Sequence, residues 1–393
     1  MVLSGGRLSD ILVLNLMQGT FLCVAATYGG AISTNFVNQF YQSFIMLKSY
    51  NITLLLQAML VLAACNETPA TGGDHTAYFT PVDSGVQTGG VKIIPISTSK
   101  GTFNIWTKRT GNNPKIKVLL ITGGPGATHE YAEAFDSFFP QEEIEYIYYD
   151  QLGCGNSDNP KDTALYDLNR SVEEIEQVRK ALNLTNENFY IWGHSWGGVV
   201  AMEYALKYQD NLKALIISDM MASAKDYNDY ADNVLAKQMD PKILDSIRAI
   251  EAKNDFDNPK YMELLMPNFY AKHICRLPEF PDPVLRAMGK INESFYRTMQ
   301  GPSEFGLSGK LTNWDVKGKL PQIKVPTLSI GAKYDTMDPE HMKWIAGQVQ
   351  NGSYLYCPNG SHLCMYDDQA VYMKGLVKFI LAVNNGEKKV ALN

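Results

Sequence analysis

The sequence predicts an α/β fold in which a mostly parallel, doubly wound sheet carries an inserted helical cap. From about Val91 onward, short and fully apolar runs alternate with helical stretches, and the alternation lapses between Met221 and Gly318 before resuming at Val325-Pro326-Thr327. Continuous apolar runs fit strands buried on both faces, as in a parallel sheet, and strand–helix alternation winds helices onto both sides of it. Strand segments lie on both sides of the lapse, so an insertion accounts for it better than a separate domain.

Taken in order, Val91–Ser97 and Thr102–Lys108 read as a hairpin with Lys100-Gly101 at its turn. Val118–Ile121, Tyr146–Tyr149, Phe189–Trp192, Leu215–Ser218, Thr327–Ile330 and Tyr354–Tyr356 are the sheet strands that follow. Ser171-Val172-Glu173-Glu174 reads as a capping box, and Val172, Ile175, Val178 and Leu182 then share one helical face. Val199–Tyr208 and Gln369–Val383 read as further helices. The lapse is rich in Met and Tyr and is punctuated by Pro241, Pro259, Pro267, Pro278, Pro281 and Pro283. This assigns 89–220 and 319–393 to the core and 221–318 to the cap.

The 393 residues are 45% hydrophobic, enough for a sizeable core. Asp and Glu (41) outnumber Lys and Arg (35), a net charge of −6 that excludes the basic stripe of a nucleic-acid binder. The six cysteines, Cys23, Cys65, Cys154, Cys275, Cys357 and Cys364, form no CxxC pair, so no structural zinc site is expected.

The N-terminus reads as an address. Met46 to Cys65 is MLKSYNITLLLQAMLVLAAC, with Lys48 as a short positive region, Ile52–Ala64 as an apolar stretch of signal-peptide length, and Leu62-Ala63-Ala64-Cys65 at its end. Small residues before a cysteine resemble the lipobox of bacterial lipoproteins, which implies lipidation at Cys65 and a location in the bacterial cell envelope, membrane-bound through the lipid anchor only. Residues 65–88 then read as a flexible tether, polar and rich in Thr, Gly and Pro. An uncleaved anchor helix and an internal core helix are the competing readings of the apolar run. In the first reading 1–64 is a leader, with Met46 as the true start and 1–45 as an over-extended gene model.

Gly193-His194-Ser195-Trp196-Gly197-Gly198 follows one strand and precedes a helix, the strand–turn–helix context that a G-x-S-x-G nucleophile requires. A serine hydroxyl needs a base. His362, in Asn359-Gly360-Ser361-His362, lies after the last strand and before the final helix, whereas His75, His129, His273 and His341 have no such placement and His194 leaves the turn in another direction. Asp335 lies just past the strand Thr327–Ile330 and can orient that histidine; Asp338 is its rival. The order Ser195, Asp335, His362 is that of the α/β-hydrolase fold. Thr122-Gly123-Gly124-Pro125-Gly126 follows a strand and allows close backbone approach, so the amides of Gly124 and Trp196 are the candidate oxyanion hole. No Gly-Lys-Ser/Thr follows that would make it a phosphate loop.

Together Gly123-Gly124-Pro125-Gly126, Tyr149-Asp150-Gln151-Leu152-Gly153-Cys154-Gly155-Asn156-Ser157, the Ser195 motif, Asp335 and His362 resemble the proline iminopeptidases, from roughly Val91 to Val383. Gly301-Pro302-Ser303-Glu304-Phe305 and Asn313-Trp314-Asp315 are similar to the family's cap segment. The resemblance implies a serine aminopeptidase that releases N-terminal residues, often proline, from short peptides with a free N-terminus, without metal or cofactor. It also implies that Glu304 holds the substrate ammonium. Departures are Thr336, where some relatives carry a second glutamate, and Thr122, where a histidine usually precedes the GGPG loop. An esterase, lactonase or amide hydrolase would use the same machinery, and a non-catalytic binding protein could share the scaffold.

Overall fold

A computed structural model describes residues 75–80 and 90–392. An eight-stranded sheet has the order β1-β2-β4-β3-β5-β6-β7-β8. The strands are β1 (Val91–Thr98), β2 (Gly101–Thr110), β3 (Lys117–Ile121), β4 (Glu145–Tyr149), β5 (Phe189–His194), β6 (Ala214–Ser218), β7 (Thr327–Ala332) and β8 (Gly352–Cys357). β1 and β2 pair antiparallel at one edge, β2 pairs antiparallel with β4, and all pairings from β4 to β8 are parallel. β4, β5, β6 and β7 are buried along their whole length, which is why they read as mostly apolar runs, although β4 opens on Glu145 and β7 carries Thr327 and Ser329.

The main helices are α1 (Leu168–Ala181), α2 (Trp196–Tyr208), α3 (Ala224–Tyr230), α4 (Pro241–Glu251), α5 (Pro259–Leu265), α6 (Asp282–Gly289), α7 (Glu293–Met299), α8 (Pro339–Gln348) and α9 (Gln369–Asn384). Alternate strand residues feed separate cores. Leu119, Ile121, Ile191 and Ile217 pack with α1, α2 and α8, while Leu120, Trp192, Ile216 and Ile330 pack with α9. The sheet is therefore doubly wound, as the strand–helix alternation predicts.

Helices α3 to α7 fill the stretch between β6 and β7, forming the inserted cap. Its prolines start helices as well as interrupt them: Pro241 and Pro259 open α4 and α5, behind the side-chain caps Asp240 and Asn258.

Some local expectations need correction. The hairpin turn is Ser99-Lys100, since Thr98 pairs with Gly101, which already belongs to β2 with φ +121°. Ser171 does not cap α1. Asp167 does, accepting from the Arg170 amide at 3.0 Å, while Ser171 donates back to the Asp167 carbonyl at 3.1 Å. Glu174 turns instead to the sheet side and accepts from Tyr149, Leu152 and Arg170. The upstream carboxylate reaches the free amides first, which moves the helix start back by a turn. Helix α2 begins at Trp196 rather than Val199, because the glycines after Ser195 are its first turn and not a loop.

Among the described residues no helix is long and apolar enough to cross a membrane. Residues 1–64, the lipidation candidate Cys65 and most of the tether lie outside the described residues.

Candidate active site

The sheet order reverses between β3 and β5, and the loops leaving the C-terminal ends of those strands carry the GGPG segment and Ser195. A crevice at such a switch point is where doubly wound sheets place ligands. Ser195 sits between β5 and α2 with φ 54° and ψ −124°, a region an L-residue rarely occupies. Its amide is pinned to the Ser218 carbonyl on β6 at 3.0 Å. The turn is this tight because Gly197 lies against β3: a Cβ there would overlap the Ile121 carbonyl. The N-terminus of α2 then faces the space beside the hydroxyl.

Asp335 and His362 leave the ends of β7 and β8. The His362 Nδ1 lies 2.7 Å from Asp335 Oδ1, and both residues are buried. Burial by itself pulls the imidazole down, but the charge of Asp335 and its hydrogen bond outweigh that and hold His362 above its ordinary value. Thr336 donates to Asp335 Oδ1 at 3.2 Å and lies 3.3 Å from His362 Nδ1. Asp338, the rival acid, is committed elsewhere: it caps α8, accepting from the Glu340 amide at 2.9 Å.

His194 does not approach as a base. Its Nε2 donates to the His362 carbonyl at 2.8 Å, which leaves Nδ1 as an acceptor 3.1 Å from the Tyr131 hydroxyl. Burial, then the facing His362, push His194 well below its ordinary value, so it is neutral. Tyr131 in turn accepts from the Gly123 amide. One chain of hydrogen bonds therefore runs from the GGPG loop through Tyr131 and His194 to the backbone of His362.

That chain also bears on the candidate oxyanion donors. The Gly123 amide is taken by Tyr131, so Gly124, with φ +36° and on the cavity wall, is the next amide available from the loop. Gln151 ties the loop to the Ser195 turn: its Nε2 donates to the Thr122 carbonyl at 3.2 Å and its Oε1 accepts from Trp196 Nε1 at 3.0 Å. The cap holds the loop from the other side, through the Asn292 amide on the Gly126 carbonyl at 3.0 Å. Thr122 is buried, and its hydroxyl has no partner among the described residues.

Ser195, His362 and Gly124 line a cavity of about 330 Å³ whose other walls come largely from the cap, including Phe256, Tyr261 and Met288. Glu304 lines the same cavity and is only 9% exposed. Tyr296 donates to Glu304 Oε1 at 2.7 Å, and Tyr227 donates to the Glu304 carbonyl at 2.7 Å. The Glu304 amide donates to the Tyr270 hydroxyl at 3.2 Å. Burial, then the charge of Glu304, keep Tyr227, Tyr270 and Tyr296 above the ordinary tyrosine value, so these hydroxyls stay protonated. No ion pair within the described residues satisfies Glu304, and the remaining wall is mostly apolar, so a carboxylate is presented to whatever fills the cavity. Among the described residues no group of three or more His, Cys, Asp and Glu is arranged to hold a metal ion. Cys154 and Cys364, near the site in sequence, are buried free thiols whose burial raises them well above their ordinary value, the opposite of a nucleophilic cysteine.

Residues 117–369 match the family model described as alpha/beta hydrolase fold. Over 295 residues the chain is 58% identical to the protein of Chitinophaga pinensis named proline iminopeptidase, spanning 75% of this chain and 99% of that one. The chain belongs to the proline iminopeptidase family. A Flavobacterium johnsoniae protein of the same name is 59% identical over 293 residues, 75% of this chain and 99% of its own. The crystal structure of the proline iminopeptidase of Mycobacterium smegmatis superposes with a TM-score of 0.67 over 75% of this chain and 99% of that one. Its 24% identity makes that a likeness of fold.

Several site residues of this chain carry no sequence signal of their own. Tyr131 and Asn292 lie in segments without a motif and reach the GGPG loop only through tertiary contacts. His273, set aside for lack of placement, supports the site through its backbone: its carbonyl accepts from the His362 amide at 2.9 Å, and its Nδ1 donates to the Tyr334 carbonyl at 2.8 Å. His129 accepts no such role. It pairs with Asp150 at 2.9 Å, inside the Tyr149–Ser157 motif.

Proposed function

We propose that this protein is a serine aminopeptidase that releases N-terminal residues, preferentially proline, from short peptides. Ser195 attacks the scissile carbonyl while His362 takes its proton. Asp335 holds the imidazole in the tautomer with Nδ1 protonated and stabilises the imidazolium. The amides of Gly124 and Trp196 bind the oxyanion of the tetrahedral intermediate. His362 then protonates the leaving amine, and water repeats the sequence on the acyl-enzyme. The observation that carries the reading is Glu304, a carboxylate enclosed in the same cavity as Ser195 and His362 and ion-paired with no cation among the described residues, since Arg297 on the cavity wall pairs with Asp257 and Glu293. A carboxylate there offers the α-ammonium of a substrate its partner.

The decisive comparison is hydrolysis of proline β-naphthylamide against its N-acetylated form. The aminopeptidase reading expects the acetylated compound to be a poor substrate. Equal rates would favour the esterase, lactonase or amide-hydrolase reading, which the apolar remainder of the cavity wall would also suit.

The leader is part of the same proposal. Cys65 is the lipidated N-terminus of the mature chain, and the protein is held at the bacterial cell envelope by that anchor. The support is the lipobox-like end of the Met46–Cys65 segment and the polar tether after it. Mass spectrometry of the mature N-terminus tests it: a diacylglyceryl-modified Cys65 is expected, and an unmodified residue upstream of Cys65 would contradict it.

A further inference from the structure

A second buried carboxylate stands beside the candidate triad with no role in the chemistry above. Asp219 is the first residue after β6, the strand that runs between the nucleophile strand β5 and the acid strand β7. It is fully buried and held at φ 52°, a left-handed conformation uncommon for a residue other than glycine. Its amide donates to the Ile330 carbonyl on β7 at 3.0 Å, which fixes it next to the Asp335 loop.

The hydrogen-bond directions around it are determined. Trp192 Nε1 can only donate, and it does so to the Tyr372 hydroxyl at 2.7 Å. Tyr372 therefore donates to Ser218 Oγ at 2.9 Å, and Ser218 donates to Asp219 Oδ2 at 2.7 Å. The Cys364 thiol donates to the same carboxyl group at 3.3 Å. On the other side the Ile330 carbonyl that takes the Asp219 amide belongs to β7, the strand whose end carries Asp335, so the two carboxyl groups leave adjacent strand ends. Asp335 spends Oδ1 on His362 and Thr336, and its Oδ2 is buried with no donor among the described residues. No cation of the described residues pairs with Asp219. Two neighbouring carboxylates in a dry site disfavour each other's ionisation, and the one facing an imidazole keeps the charge. Burial, then the charge of Asp335, push Asp219 well above the carboxylate range, which agrees with that division.

We propose that Asp219 is a positioning residue: it retains its proton, donates it in a hydrogen bond to Asp335 Oδ2, and so fixes the carboxylate in the orientation that meets His362. The proposal rests on His362 acting as the base. The titratable groups facing Asp219 are Asp335 after β7, Cys357 and Tyr354 on β8, Cys364 after His362, Tyr372 on α9 and Tyr131. Those facing His362 are Asp335, His194, Glu304 and Asp367.

The test is the pH profile of kcat/KM on proline β-naphthylamide for wild type, Asp219→Asn and Asp219→Leu, with thermal unfolding of each. Asparagine can accept from Ser218 and donate to Asp335, so Asp219→Asn should keep kcat/KM within about threefold and leave the acid limb in place. Asp219→Leu takes away a buried hydrogen bond to a charged group, so kcat should fall about 10- to 100-fold with KM little changed. Its acid limb should also move to higher pH, because Asp335 without a donor attracts the imidazolium more strongly. If Asp219→Asn moved the acid limb to lower pH, Asp219 would have been ionised in the wild type, and the proposal would be overturned. Equal losses in both variants with an unmoved limb would show a packing role only, which also overturns it. A wild-type profile with no acid limb would overturn this proposal together with the assignment of His362, and is read without either variant.

Discussion

Replacing Glu304 by glutamine separates charge from shape at the substrate end of the cavity. Glutamine keeps an oxygen that can accept from Tyr296, which now lies 2.7 Å from Oε1, so the loop should hold its place. What is lost is the attraction between a carboxylate and the substrate ammonium. At about 4 Å and an effective dielectric of about 20 that attraction is roughly 4 kcal/mol. Part of it already offsets the cost of stripping water from the ammonium, and glutamine retains a hydrogen bond, which leaves about 2–3 kcal/mol. At a factor of ten per ~1.4 kcal/mol, kcat/KM for proline β-naphthylamide should fall about 30- to 150-fold. For the N-acetylated substrate, which has no charge to pair, the rate should stay the same or rise. Both are read from initial rates of naphthylamine release at matched enzyme concentration. A loss below about threefold on the free amine, or equal losses on both substrates, would refute the ammonium assignment.

Other outcomes follow from the same geometry. His362 sits above its ordinary value of ~6.5, and only its neutral form accepts the proton of Ser195. The acid limb of kcat/KM should therefore lie above pH ~6.5, with activity lost as pH falls through it and kept above it; a limb well below that value would contradict the His362–Asp335 pairing. Asp335→Ala should lower kcat by about 10⁴-fold, while Asp338→Ala should cost about 1 kcal/mol of stability through the lost α8 cap and leave kcat intact. Steady-state kinetics with chemical denaturation separates the pair, and a reversed pattern would transfer the acid role to Asp338. Gly197→Ala places a Cβ on the Ile121 carbonyl, so β3 and α2 must separate. It should destabilise by at least about 1–3 kcal/mol and lower kcat with it, and an unchanged melting temperature would count against the packing described.

Much of the fold is legible in the sequence because it rests on local pattern. β3 to β7 are mostly apolar runs, since they are buried on both faces, and that property is written in consecutive residues. The Ser195 turn is legible for a different reason: close packing of Gly197 on β3 leaves few residue types possible there. Helix starts are less secure. Ser171 and Glu174 have the spacing of a capping box, yet Asp167 takes the cap and Glu174 is drawn to Tyr149 by tertiary structure. The support of the site is illegible, because it depends on which strands become neighbours. Asp219 comes beside the Asp335 loop only because β6 lies next to β7, and Tyr131 meets His194 across the crevice between β3 and β5. Neither adjacency leaves a spacing to read along the chain. Glu304 falls between, since its burial among Tyr227, Tyr270 and Tyr296 emerges only when the cap folds over the sheet.

The account turns on the Ser195 hydroxyl being made nucleophilic by His362 and Asp335. Labelling with a fluorophosphonate, followed by peptide mass spectrometry, tests it most directly. Wild type should carry a single adduct on Ser195, Ser195→Ala should carry none, and His362→Ala should label far more slowly. An adduct on any other residue, or full peptidase activity in a chain whose Ser195 is already labelled, would contradict it.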